Sequence, residues 1–169
     1  MSEKDTLFVL AASYDDLQTA EADYEAVKDL YDVAGIGHDF DATVIQRDAD
    51  GKSHVVKKHE ESTRHGAKWG LAIGAASAVL PGIGLLGGMA VGAGIGALTG
   101  HIKGGMSDAS LKQVAATLEK GQAGLIVVYA TSMNDQINAT LKAENKYIAD
   151  DMKVDRAALD KQMESASSS

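Results

Sequence analysis

GAKWGLAIGAASAVLPGIGLLGGMAVGAGIGALTGHIKG, residues 66–104, is the stretch on which the reading of this chain turns. Glycine stands at Gly66, Gly70 and Gly74, and Ala78 holds the next step. After Pro81 the four-residue spacing resumes at Gly84, Gly88, Gly92, Gly96, Gly100 and Gly104. A period of four is close to the helical repeat, so the spacing predicts two helices meeting at Pro81-Gly82, each with a smooth stripe along one face. Glycine costs a helix about 1 kcal/mol per residue relative to alanine, so such a repeat needs a compensating gain. Close backbone packing of the small-xxx-small kind supplies one. Set aside as an inserted glycine-zipper hairpin, the stretch leaves flanks that read as one domain.

Toward the N-terminus, Lys52 to His59 reads as a polar strand entered through an Asp50-Gly51 hairpin turn. Before it, Phe40, Ala42 and Val44 alternate with Asp39, Asp41 and Thr43, the period of a half-buried strand. Leu17, Ala20, Tyr24, Val27, Tyr31 and Ala34 recur at steps of three and four, predicting an amphipathic helix closed at Gly35 and Gly37. Ser13 with Asp16 fits a capping box at its start. Leu7 to Ala12 is apolar without alternation, as a buried central strand should be.

Toward the C-terminus, Ser107 or Asp108 caps a helix carrying Leu111, Val114, Ala115 and Leu118, stopped at Gly121. Leu125 to Tyr129 is a second fully apolar strand. Ser132 and Asp135 open a short helix through Ile137 and Leu141, Lys146 to Val154 reads as a further strand, and Asp155 to Met163 as a last helical turn or two. The expected fold is α+β: a ferredoxin-like βαββαβ core, the glycine-zipper hairpin inserted after the third strand, and a C-terminal αβ(α) extension. Residues 1–65 and 105–155 then form one α/β domain, 66–104 the hairpin, and 156–169 a C-terminal helix and tail. Two central strands covered by helices on one face would supply the core.

A chain of 169 residues suits one such domain. Its net charge of -8 argues against a nucleic-acid partner. It has no cysteine, which removes disulfides, thiolate catalysis and Cys-based zinc sites together. Met1 to Thr6 is polar and acidic, so the sequence predicts no signal peptide and no standard export.

The order of elements resembles the bacterial DUF1269 family, labelled a membrane protein of unknown function. The carrying residues are Leu7 to Ala12, the turn at Asp50-Gly51, the block from Gly66 to Gly74 with its continuation to Gly104, and Leu118-Glu-Lys-Gly-Gln-Ala-Gly-Leu-Ile-Val-Val128. The likeness runs from about residue 5 to 155. It implies a small α/β domain with an apolar glycine-rich hairpin and assigns no catalytic residue.

From Trp69 to Gly100 the chain runs 32 residues without a charge, and Arg64, Lys68, His101 and Lys103 bracket that run. An uncharged tip with a basic root is the polarity of an element entering a bilayer from the cytoplasmic side, with Trp69 as an interfacial anchor or, equally, the packing joint between hairpin and sheet. The first arm offers only about 15 residues before Pro81 where a span needs about 20, which favours a shallow or re-entrant hairpin. The competing reading keeps the hairpin in water, packed against sister hairpins in the core of a soluble homo-oligomer. A third possibility is a stripe that serves only to join the two arms. The expected partners are therefore a second copy of this chain and a lipid membrane, with no nucleic acid and no small-molecule ligand. The expected location is the cytoplasmic face of the inner membrane, or the cytoplasm for the soluble assembly.

No enzyme is expected, and no cofactor or metal. The G-x-G-x-x-G matches lie inside the apolar repeat instead of a strand-to-helix turn, so they lack a phosphate cradle. His54 and His59 stand an odd number of residues apart on a strand and face opposite sides, which argues against a shared ion with His65, Glu60 or Glu61. His38, Asp39 and Asp41 read as a polar strand entrance. Asp48, Asp50, Asp150 and Asp151 lack calcium-loop spacing. Ser13, Ser107 and Ser132 read as caps in preference to nucleophiles.

Overall fold

The computed structural model describes residues 5–34, 40–49, 53–59, 84–85, 105–130, 134–143 and 145–154. In chain order the elements are β1 (Asp5–Tyr14), α1 (Leu17–Val33), β2 (Phe40–Arg47), β3 (Ser53–His59), β4 (Gly84–Leu85), α2 (Asp108–Glu119), β5 (Ala123–Ala130), α3 (Asn134–Thr140) and β6 (Asn145–Val154).

The strands form one sheet in the order β4-β3-β2-β5-β1-β6, antiparallel throughout except for the two-residue β4, which runs parallel to β3. The two most apolar runs, β1 and β5, lie side by side at the centre, pairing from Leu7↔Ala130 to Tyr14↔Ala123. β5 separates β1 from β2, and β1 separates β5 from β6, so each strand-helix-strand unit is split by an antiparallel strand. β3 pairs with β2 toward the edge, and β6 pairs with β1 as an integral part of the sheet.

Helices cover both faces, where a single covered face was expected. α1 lays Ala20, Tyr24, Val27 and Tyr31 on Leu10, Ala12, Val44, Leu125, Val127 and Tyr129, and Ile137 of α3 joins the same core. The alternate residues Val9, Ala11, Ile45, Ile126 and Val128 are equally buried on the other face. There α2 packs on β1 and β6, with Leu118 above Gly124. The continuous apolar runs of β1 and β5 have this physical meaning: a strand that does not alternate has two faces to bury. Thr43 of β2, expected on a solvated face, is 0% exposed for the same reason.

The ends of the helices follow local chemistry. Ser107 caps α2 by accepting from the Ser110 amide at 3.1 Å. Ser13 does not cap α1. β1 continues past Ala12, because Ser13 pairs with Gly124 and Asn145, and the cap moves to Asp16. Its carboxylate accepts from the Thr19 amide at 2.7 Å and the Thr19 hydroxyl at 2.8 Å, and those bonds hold the Asp16 carboxyl below its usual pKa. Asp155 to Met163 lies outside the described residues.

Candidate functional site

Three places gather polar chemistry. The first is sealed between the sheet and its α1 face. Asp23 occupies the helical step between Ala20 and Val27, which turns its carboxylate inward, and it is 2% exposed. Its Oδ2 accepts from the Tyr14 hydroxyl at 2.7 Å and from the Lys142 amide at 2.9 Å. One carboxylate oxygen thus ties β1, α1 and the segment after α3 together. Burial first, and then the bond to Asp23, push the Tyr14 phenol far above its ordinary pKa, so Tyr14 remains a proton donor. An enclosed carboxylate whose donors come from the protein itself is a structural junction.

The second place is the turn from α2 into β5. Tyr14 and Arg47 clamp it, since Gln122 donates its amide to the Tyr14 carbonyl at 3.0 Å and the Arg47 amide donates to the Gln122 carbonyl at 2.9 Å. The Arg47 guanidinium donates from Nη1 to the Glu119 carbonyl at 3.1 Å, placing a cation at the negative end of α2. Gly121 is required by close approach: a Cβ there would meet the Tyr14 carbonyl oxygen and come within 2.8 Å of the Tyr14 nitrogen. The cleft between Arg47, Ser53, Leu118 and Gly121 encloses about 10 Å³, the space of a single water. It is too small for a substrate or cofactor.

The third place is the β3 edge. His54 Nε2 lies 2.8 Å from Asp48 Oδ2 across the β2–β3 turn, and both side chains are partly exposed. His54 and Val55 also pair, through their backbone, with Gly84 and Leu85. Among the described residues no group of three His, Cys, Asp or Glu side chains could hold a metal ion.

Of the glycine-repeat, basic-root and anchor residues singled out from sequence, only Gly84 falls among those described, and it corrects the expectation of a helix: Gly84 and Leu85 are extended. Glycine resists helix formation, and the open edge of β3 offers this backbone hydrogen-bond partners that an extended chain can use. Gly66, Gly70, Gly74, Ala78, Gly88, Gly92, Gly96, Gly100, Gly104, Arg64, Lys68, Trp69, His101 and Lys103 lie outside the described residues. So do Ser132, His38, Asp39, Asp50, Glu60, Glu61 and His65. Asp150 and Asp151 lie together opposite Phe8, where the β1–β6 register jumps from Leu7↔Met152 to Val9↔Ala149, a bulge in an edge strand. Sequence reading missed Asp23. Its signal was a carboxylate at helical spacing inside an apolar stripe, three residues after Ala20 and four before Val27.

Among the described residues no helix is long and apolar enough to cross a membrane. No curated protein and no solved structure matches the chain. The family model described as "Protein of unknown function (DUF1269)" matches residues 63–164, more than half of the sequence and including the glycine-rich block, α2, β5, α3 and β6. The chain belongs to the DUF1269 family.

Proposed function

We propose that this is a non-enzymatic, membrane-associated protein whose working part is the glycine-rich block of residues 66–104. In this reading the block enters the cytoplasmic face of the inner membrane as a hairpin and packs helix to helix with other copies. The observation that carries it is a run of 32 uncharged residues bracketed by Arg64, Lys68, His101 and Lys103 in a chain whose net charge is -8. Basic side chains confined to the root would meet anionic headgroups, each contributing about 1 kcal/mol, while the acidic domain stays clear of them. The sheet is then a carrier. Its order supports a ferredoxin-like reading in which β1-α1-β2-β5-α3-β6 is the core and everything between β2 and β5 is inserted.

A second reading, a soluble homo-oligomer with the blocks packed in its core, is favoured by one feature: the block returns to its own sheet at Gly84–Leu85. Cell fractionation followed by size exclusion with light scattering, with and without detergent, separates the two. The membrane reading expects the protein in the pelleted membrane and release by detergent. Complete recovery in the soluble fraction as a defined oligomer would replace it with the second reading.

A further inference from the structure

Gly84 and Leu85 are the two middle residues of the uncharged run from Trp69 to Gly100. In a hairpin that turns at Pro81-Gly82 they lie two to four residues from the turn, near the part that goes deepest into lipid. In this structure they are paired with His54 and Val55 on the edge of the sheet. The two placements exclude each other. β3 continues through Lys57, Lys58 and His59, and carrying that strand to bilayer depth with its neighbours would bury charges and unpaired backbone at a prohibitive cost.

The pairing is also the weakest joint of the sheet. β4 is two residues long, contains a glycine, and runs parallel in a sheet whose other neighbours are antiparallel. By contrast β2 and β5 pair continuously from Phe40↔Tyr129 to Gln46↔Ala123. An edge contact held by so little backbone can open without disturbing the core under α1, since β3 remains anchored to β2.

We propose that the β3–β4 pairing is a latch. Closed, it pins the centre of the apolar run to its own sheet and caps the β3 edge against strand addition. Open, it surrenders the run to a lipid bilayer, so membrane affinity is set by the fraction of molecules in the open form. This rests on the membrane reading above.

The absence of native cysteine makes the test direct. Val55 and Leu85 are register partners, so Val55→Cys with Leu85→Cys in the full chain closes the latch by one disulfide and dithiothreitol reopens it. The probe is flotation with vesicles of phosphatidylglycerol and phosphatidylethanolamine. The latch expects the oxidised protein to bind at least about tenfold more weakly than the same protein reduced, which should match the unmodified chain. It also expects Gly84→Pro with Leu85→Pro, which removes both amide donors of β4, to bind more tightly while keeping its circular dichroism spectrum. Equal flotation of oxidised and reduced protein overturns the latch and leaves the membrane reading standing. Failure of the disulfide to form in the folded chain, or prolines that do not raise binding, overturns it equally. If the unmodified chain does not float at all, the membrane reading falls first and the latch falls with it.

Discussion

Among the described residues, the two faces of the sheet differ in the aromatic rings they bury. Under α1 and α3 the core is large and directional, with Leu10, Tyr24, Tyr31, Leu125, Tyr129 and Ile137 in one cluster. The Tyr129 hydroxyl reaches the Asn134 side chain at 2.7 Å, and the Phe8 ring meets Tyr129 edge-on at 5.8 Å. Under α2 the buried residues are aliphatic or small, with Val9, Ile45, Ile126 and Val128 of the sheet beside Ala11, Ser13, Ala149, Ser110 and Thr117, and Gly124 beneath Leu118. Interlocked rings admit one arrangement, whereas aliphatic and small side chains, with a glycine under the helix, leave α2 more freedom to settle. The first face specifies the domain, and the second tolerates adjustment.

The same truncation on each face measures that difference. Leu125 is fully buried in the α1 core, and removing it leaves a hole that rigid aromatic neighbours cannot fill. Leu125→Ala should cost about 4 kcal/mol by urea denaturation, near the upper part of the range for such changes. Leu118→Ala removes as many carbons, but α2 can move toward Gly124 and recover contact, so about 2 kcal/mol is expected. Equal losses would mean that the α2 face is as rigid as the other, and the comparison would fail.

A smaller effect probes the polar junction on the α1 face. Tyr14→Phe takes the phenolic donor from the buried Asp23 and should cost about 1 to 2 kcal/mol. It should also change the response to alkali. The phenols of Tyr14 and Tyr129 are pushed well above the ordinary value of 10.0, and burial, followed by the charge of Glu25, raises Tyr24 to about 12. Above pH 10.0 the unfolded chain loses phenolic protons that the folded chain keeps. Stability is therefore whole below that pH and falls as pH rises beyond it. Tyr14→Phe should flatten the fall, read as the midpoint of urea unfolding between pH 9 and 11. An unchanged slope would mean that Tyr14 ionises as readily folded as unfolded.

The contrast between faces also explains what the sequence could disclose. Periodicity carries local information, and it located β1, α1, the β2–β3 hairpin, the Ser107 cap, β5 and β6 from their own residues. It carries nothing about which strand lies beside which. The insertion of β5 between β1 and β2 rests on pairs such as Val44↔Leu125, far apart in the chain. Alternation puts Thr43 on the solvated face because it reports side-chain polarity, and a buried threonine looks the same as an exposed one. Ser13 satisfied the spacing of a cap, but strand pairing extended β1 through it and Asp16 took the role. Gly84 fitted a helical repeat, yet the open edge of β3 is a tertiary feature that no four-residue period records.

The finest test of the comparison is the hydroxyl left behind by that misplaced cap. Ser13 is 3% exposed and its Oγ has no hydrogen-bond partner among the described residues. It stands in line with Val9 and Ala11 on the α2 face, where Ala11 already meets the same need for a small residue. A buried hydroxyl without a partner carries a desolvation cost, and alanine removes it while leaving Cβ in place. Ser13→Ala should therefore leave stability unchanged or raise it by up to about 1 kcal/mol, in contrast to nearly every other core truncation. A loss of more than about 1 kcal/mol would mean that the hydroxyl is bonded in the native protein. The α2 face would then hold its helix by directional contacts as the α1 face does, and its tolerance for adjustment would have to be abandoned.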